Sequence, residues 1–333
     1  MKQLRIGPDG PQVGCLGVGA MSFSEFYGPT TEENSWAILS AALEAGVSHI
    51  DTSNVYGMGR SESAIGMFLK DNPDARDRLH IATKGGINRD DNSAAQPFDN
   101  SADYLTKALE GSLRRLGVDC VDLYYVHRRE RDRPIEEVTE TLAGLVKAGK
   151  TKAIGYSEIA PSSLRRAMEV HPVAAVQSEY SLATRFPELG LVQTCAELGV
   201  TLVAFSPVAR SLLTDNPLKA EVIPTLPFLS SAPRFMPPNY ARNIALTEDW
   251  RRLAAEMGTP AAALAIAWCL HRGDHILPIP GTRSVSHFKE LLAGTQIALS
   301  AADMARIDAA LPVGWAHGDR YSDAQWNGPE RYC

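Results

Sequence analysis

The chain has 333 residues, 44% of them hydrophobic and 22% charged, with a formal net charge of −6 that is not gathered into acidic or basic blocks. This is ordinary globular composition, and without a basic stripe there is no electrostatic footprint for nucleic acid. No stretch approaches the ~20 apolar residues of a membrane helix, and MKQLRIGPDG has no apolar run behind its charges, so no membrane partner, no secretory leader and a cytoplasmic location are expected.

In chain order, QLRIGPDGPQVG reads as a hairpin turning at Pro8–Gly10, followed by a first strand in LGVGAM. An amphipathic helix over about 31–45 has Thr30 or Thr31 as cap candidate and Gly46 beyond its end. VSHID (47–51) is the next strand, then a helix over about 61–70. LHIATK (79–84) and VDLYYVH (121–127) are strands, with helices over about 102–116 and 134–147. KAIGYS (152–157), VAAVQSEY (173–180) and TLVAFS (201–206) follow, separated by helices near 161–170 and 187–198. HILPIP (275–280) is the last strand.

Counting from LGVGAM, eight short apolar strands alternate with helices, which requires parallel strands joined by right-handed crossovers. An open dinucleotide-binding sheet would carry G-x-G-x-x-G at its first strand. Here Gly17-Val18-Gly19 is followed by Ala20-Met21-Ser22, with serine where the third glycine belongs. Eight units and a failed fingerprint favour one closed α/β barrel, a (β/α)8 or TIM barrel, spanning 1–333 as a single domain. Its additions are an N-terminal β-hairpin, a long Pro-rich loop after strand seven (207–246), and an aromatic C-terminal tail (312–333) over the active face.

Five cysteines (Cys15, Cys120, Cys195, Cys269, Cys333) show no CxxC spacing, and eight histidines form neither HxH nor HExxH. Cys120 and Cys269 read as buried small hydrophobes and Cys333 as an exposed thiol; no metal is expected.

Three consecutive strands end in titratable residues, Asp51, Lys84 and His127, and in a barrel those ends share the functional face. Neighbouring strands lie ~4.8 Å apart, so three of them span roughly 10 Å and reach one small molecule together. Tyr56 lies in the loop directly after Asp51. Taken singly, each has an ordinary explanation as a solvated strand end, a packed loop aromatic or a core histidine. Together they fit carbonyl reduction. A phenol of ordinary pKa near ~10 is a slow acid at neutral pH, and a neighbouring ammonium lowers it by roughly 1–3 units. Lys84 would therefore tune Tyr56, Asp51 would anchor Lys84, and His127 would orient the substrate oxygen.

GVSHIDTSNVYGMGRSE, IATKGG, VDLYYVH and LPIPGTR closely resemble the signature segments of the aldo-keto reductases, in order and from about Gly14 to Ala293. The resemblance implies a (β/α)8 barrel, a nicotinamide cofactor bound across the strand ends, and a tetrad of Asp51, Tyr56, Lys84 and His127 interconverting a carbonyl and its alcohol. It further implies Ser157 and Gln177 at the carboxamide, Phe205 stacked on the ring, and cofactor contacts at Gly19, Met21, Asp51, Ser206, Pro207, Ile279, Gly281, Thr282, Arg283, His287 and Glu290. Gly281-Thr282-Arg283 leaves strand eight and opens a helix, a common phosphate-binding arrangement.

Two departures bear on the cofactor. His287 stands where many relatives have Arg facing the 2′-phosphate, and Leu291 where they have Asn. NADPH/NADP+ is favoured through Arg283, with NADH/NAD+ as the alternative. Glu158 replaces an Asn common after the serine. Met21, Phe26, Tyr27, Tyr56 and His127, the 207–246 loop and the tail around Trp315 are expected to wall the substrate, a medium-sized aldehyde or ketone. The chain is expected to be a monomer or a small homo-oligomer.

Two rival readings remain at this stage. A Schiff-base aldolase would use Lys84 as nucleophile. A nicotinamide-sensing regulatory subunit would bind the cofactor with little turnover.

Overall fold

The computed structural model describes residues 1–88 and 96–332; Cys333 lies outside them. The N-terminal hairpin pairs β1 (Gln3–Arg5) with β2 (Gln12–Gly14). Eight parallel strands follow: β3 (Gly17–Gly19), β4 (His49–Asp51), β5 (His80–Gly85), β6 (Leu123–Val126), β7 (Ile154–Ser157), β8 (Ala175–Glu179), β9 (Thr201–Phe205) and β10 (Ile276–Pro278). They pair in sequence order from β3 to β10. The sheet comes round on itself where the Gly19 N–H donates to the Pro280 carbonyl at 3.0 Å. Glycine is required at this seam: a Cβ on Gly19 would sit 2.7 Å from the Ile279 oxygen, and one on Gly17 would sit 2.9 Å from the Ile279 side chain. The result is the expected barrel, all but closed.

The helices are α1 (Glu32–Glu44), α2 (Arg60–Asp71), the short α3 (Ala75–Arg78), α4 (Ala102–Leu116), α5 (Ile135–Lys147), α6 (Pro161–Val170), α7 (Leu191–Leu198), the short α8 (Pro227–Ser230), α9 (Asn239–Glu256), α10 (Ala261–His271), α11 (Val285–Ala293) and α12 (Ala301–Ala310). Helix α1 starts at Thr31, whose hydroxyl accepts the Asn34 N–H at 3.3 Å, which settles the cap between the two threonines. No single described helix is both long and apolar enough to cross a membrane.

Period-two alternation divides the strand residues between two cores. Val18, Ile50, Ile81, Tyr124, Tyr156, Val176 and Leu202 pack outward against the helices. Ala82, Leu123, Tyr125, Ala175, Val203 and Leu277 fill the barrel, with Leu4, Ile6 and Val13 of the hairpin plugging its base. Toward the N-terminal ends of the strands lies a buried polar pair. His49 and His80, on adjacent strands, face each other with Nδ1 atoms 2.9 Å apart.

Burial pushes the His80 imidazole down to about 4 from 6.5, and burial with the His80 and Lys84 charges depresses His49 as well. Both rings are neutral in the fold, so their stabilisation is complete above pH 6.5. It is lost as pH falls from 6.5 toward 4, where the unfolded chain takes up protons and the fold does not. Denaturant midpoints of the wild type should fall more steeply between pH 7 and 4.5 than those of His80→Asn; parallel slopes would refute this.

The 207–246 segment differs from the expected structureless loop. It contains short helical turns at Ala209–Ser211, Ala220–Thr225 and Pro233–Phe235 as well as α8, and α9 already begins at Asn239. Sequence periodicity also missed α10 and α12. Residues 261–269 of α10 are buried on every side, so no apolar stripe marks that helix. Helix α12 did carry a legible signal, the Ser300–Asp303 capping box. Of the two cysteines read as buried, Cys269 is, while Cys120 is only half-buried.

Candidate functional site

The strand ends bring Asp51, Lys84 and His127 to the same end of the barrel, in the register Gly19↔Asp51↔Ala82 and Lys84↔Tyr125. Lys84 and Asp51 are fully buried and form an ion pair. The Lys84 ammonium has three N–H bonds and three acceptors: Asp51 Oδ1, the Thr52 carbonyl at 2.8 Å and the Tyr56 hydroxyl at 3.3 Å. Asp51 Oδ2 accepts from Gln177 Nε2 at 2.8 Å. The carboxylate is thus held from both sides, and the lysine in turn fixes the phenol. His127 stands edge-on to Tyr56, with ring centroids 5.7 Å apart at 83°. Ser53 Oγ lies 3.1 Å from His127 Nδ1. When Ser53 donates there, the ring is the Nε2–H tautomer, the form that can donate to a carbonyl oxygen.

The electrostatics differ from the sequence expectation in one respect. Lys84 touches Tyr56, yet burial pushes the Tyr56 hydroxyl well above the ordinary phenol value. The Asp51 charge adds to that rise, and Arg128 is the cation that opposes it. The physical reason is that Asp51 lies closer to the ammonium than the phenol does, so the pair presents little net charge to Tyr56. Burial also pushes the Asp51 carboxyl up and the Lys84 ammonium down, each opposed by its partner's charge.

A sequence profile of the aldo/keto reductase family matches residues 15–312. The chain belongs to the aldo-keto reductases. It is 37% identical over 320 residues to the aldo-keto reductase yakc [NADP(+)] of Schizosaccharomyces pombe, covering 95% of this chain and 93% of that one. Among solved structures it resembles the glycerol dehydrogenase AKR11B4 of Gluconobacter oxydans, with TM-score 0.79, 26% identity, and coverage of 93% and 94% of the two chains. It also resembles the holo form of aldo-keto reductase AKR11C1 from Bacillus halodurans, with TM-score 0.77, 27% identity, and 94% and 97% coverage. The family acts on small-molecule carbonyl and alcohol substrates.

Around the tetrad of this aldo-keto reductase, Ser157 and Gln177 are paired neighbours on β7 and β8, and Phe205 ends β9, half-exposed. Ser206 has a left-handed backbone, φ 52°, and opens a loop in which Ala209, Arg210 and Ser211 are left-handed too. Pro207 is buried beneath that loop. Just past β10, the Ile279 N–H is tied to the Ala204 carbonyl of β9 at 3.0 Å. A Cβ on Gly281 would lie 2.8 Å from the Gly19 oxygen. Thr282 is tied to the first βα loop, Ser22 Oγ donating to its carbonyl at 2.9 Å. Arg283 reaches across to the Pro29 carbonyl at 2.8 Å. Ser284, ahead of α11, makes no side-chain cap, and His287 is exposed on that helix with Glu290 half-buried beyond it.

Four aromatic rings form a chain of contacts: Phe26 and Phe228 have centroids 5.2 Å apart, with Tyr27 beside Phe26 and Tyr321 beside Phe228. Half-buried Met21 lies in the turn after β3. Tyr27 is pushed up to about 12 by burial, opposed by Arg210, and the charges of Tyr56 and Glu179 raise it further. Trp315 departs from its expected place. It is buried in the main core and donates Nε1–H to the Leu182 carbonyl at 2.9 Å, so it anchors the tail.

Glu158, which stands where an Asn is common in relatives, is held by the C-terminal tail. Its carboxylate takes both Arg320 Nη groups, and Oε1 accepts the Glu179 N–H at 2.8 Å. Arg210, Arg234 and Arg320 surround the buried Glu179. Glu330 then closes the latch, accepting from Arg129 at 2.8 Å and from the Ala160 N–H at 2.7 Å. These partners come from residues far apart in sequence, which is why pattern reading missed them. Arg128, directly after His127, and Ser53, two residues after Asp51, were legible by their nearness to tetrad members.

Proposed function

We propose that this chain is an NADPH-dependent carbonyl reductase in which Tyr56 protonates the substrate oxygen. The observation that carries the reading is the saturated Lys84 ammonium, which donates at once to Asp51, to Thr52 and to the Tyr56 oxygen. Because Tyr56 accepts from Lys84, its own O–H is directed elsewhere, toward the space bounded by His127. A carbonyl oxygen there accepts from Tyr56 and from His127, which polarises it and exposes its carbon.

When bound, a reduced nicotinamide supplies the hydride to that carbon. Tyr56 then gives its proton to the forming alkoxide, Lys84 stabilises the phenolate left behind, and solvent restores the proton once the alcohol departs. The same saturation of Lys84 argues against an imine-forming aldolase. An ammonium with three bound N–H groups and a carboxylate partner has no lone pair to offer a carbonyl.

The cofactor rim fits a phosphorylated dinucleotide. Gly281 lies against Gly19 with no room for a side chain, the first turn of α11 lacks a side-chain cap, and Arg283 lies across the groove. Ser157, Gln177 and Phe205 would hold the nicotinamide, and Arg283 with His287 would face the 2′-phosphate. The naming of NADP(+) for the fission-yeast relative supports the same choice. The aromatic wall suits a medium-sized aldehyde or ketone. We read residues 1–333 as one catalytic unit acting in the cytoplasm without nucleic-acid or membrane partners.

The test is a panel of aldehydes and ketones assayed with NADPH and NADH side by side. NADPH oxidation should require carbonyl substrate, and Arg283→Ala should raise KM for NADPH more than for NADH. Tight nicotinamide binding without turnover on any carbonyl would overturn the reading.

A further inference from the structure

Arg128 follows His127 directly at the end of β6, and its guanidinium is set into the mouth rather than released to solvent. Nη1 donates to the His127 carbonyl at 2.6 Å and to Ser157 Oγ at 3.0 Å, and Nη2 to the Tyr321 hydroxyl at 3.3 Å. The tail covers its stem at Gly328, where a Cβ would lie 2.7 Å from Arg128 Cδ. All three acceptors are uncharged.

The neighbouring arginines are different: Arg129 pairs with Glu330, Arg210 and Arg234 with Glu179, and Arg320 with Glu158. Among the described residues, no carboxylate lies within ion-pair distance of Arg128. Behind it, Glu158 and Glu179 are already engaged by the guanidiniums of Arg210, Arg234 and Arg320 and offer Arg128 no ion pair. A guanidinium partly removed from water without a counter-charge is costly unless a ligand supplies one.

We propose that Arg128 is the binding point for a carboxylate carried next to the reacting carbonyl, so that this enzyme prefers 2-oxo acids over neutral carbonyl compounds. The inference rests on the reductase reading above. Placement sets the class: the guanidinium rests on Ser157, one strand over from His127, roughly 4.8 Å away across the sheet. That spacing suits a carboxylate bonded directly to the carbonyl carbon, while a distant acid group would overshoot it. The planar fork then fixes the substrate plane, with the aromatic wall of Phe26, Tyr27, Phe228 and Tyr321 taking the remainder of the molecule.

The experiment compares phenylglyoxylate, its methyl ester and benzaldehyde with NADPH, using wild type, Arg128→Gln and Arg128→Lys. Wild type should favour the acid over the ester. Arg128→Gln should lower kcat/KM for the acid by about 30-fold, mostly through KM, as expected for a lost charge-assisted hydrogen bond. Its loss on the ester should be at least about tenfold smaller, and Arg128→Lys should recover part of the acid activity. In wild type, benzoate should inhibit benzaldehyde reduction more strongly than benzamide, a readout that needs no variant to fold.

Equal losses on acid and ester, a weakened NADPH Kd in Arg128→Gln, or benzoate no better than benzamide would overturn the proposal, assigning Arg128 instead to the cofactor or the tail. No NADPH oxidation with any of the three carbonyls would instead sink the reductase reading itself.

Discussion

Replacing Tyr56 with phenylalanine should lower kcat for carbonyl reduction by about 10³-fold, within the range expected when a positioned general acid is removed. The ring and its edge contact with His127 survive that change; the proton and the acceptor for Lys84 do not. Affinity for NADPH, measured by fluorescence titration, should stay within about twofold, because a loss confined to kcat marks an interaction made in the transition state. Burial raises the Tyr56 hydroxyl above the ordinary phenol value, so the acid form persists throughout the neutral and mildly alkaline range. Reduction by the wild type should therefore show no alkaline fall attributable to this group below about pH 10. Alcohol oxidation requires the phenolate and should climb with pH. A Phe variant as active as the wild type would remove Tyr56 from the chemistry. An alkaline loss of reduction near pH 8 that Tyr56→Phe abolishes would show a lowered phenol.

Lys84→Met should cost both activity and stability. The ion pair with Asp51 is fully buried, and deleting one partner strands the other charge at a cost of about 3–5 kcal/mol. The double variant Asp51→Asn/Lys84→Met removes both charges and should recover most of that stability, since a buried pair against its neutral replacement is close to break-even. Activity should not return with it, because neither variant supplies the ammonium that stabilises the Tyr56 phenolate. Chemical unfolding separates the two effects. If the double variant were no more stable than Lys84→Met, Asp51 would not be held chiefly by this charge.

Much of the frame was legible because it is written locally. Eight apolar strands announce themselves by composition and turn residues, and side-chain alternation places Asp51, Lys84 and His127 at one end without reference to coordinates. Helix α4 is legible for the same reason, with Ser101 accepting the Tyr104 N–H at its start and left-handed Gly117 at its end. The misses follow from non-local causes. Helix α10 is enclosed on all sides, so its sequence has no polar face to betray a period. Trp315 looked like a rim aromatic because tail residues are commonly exposed, and only the chain path delivers it to the Leu182 carbonyl.

The sequence by itself determined the barrel, the family and the four residues at its mouth, because strand alternation and motif spacing are properties of short segments. Tertiary structure alone decided the electrostatics. Whether Lys84 acidifies Tyr56 depends on which neighbour lies closer and on how deeply the phenol is buried. Whether Glu158 faces a cofactor or a cation depends on where residue 320 returns, 162 positions along the chain. Arg128 has no carboxylate partner among the described residues for the same kind of reason: charge balance is a sum over neighbours in space, and only the folded chain specifies which neighbours those are.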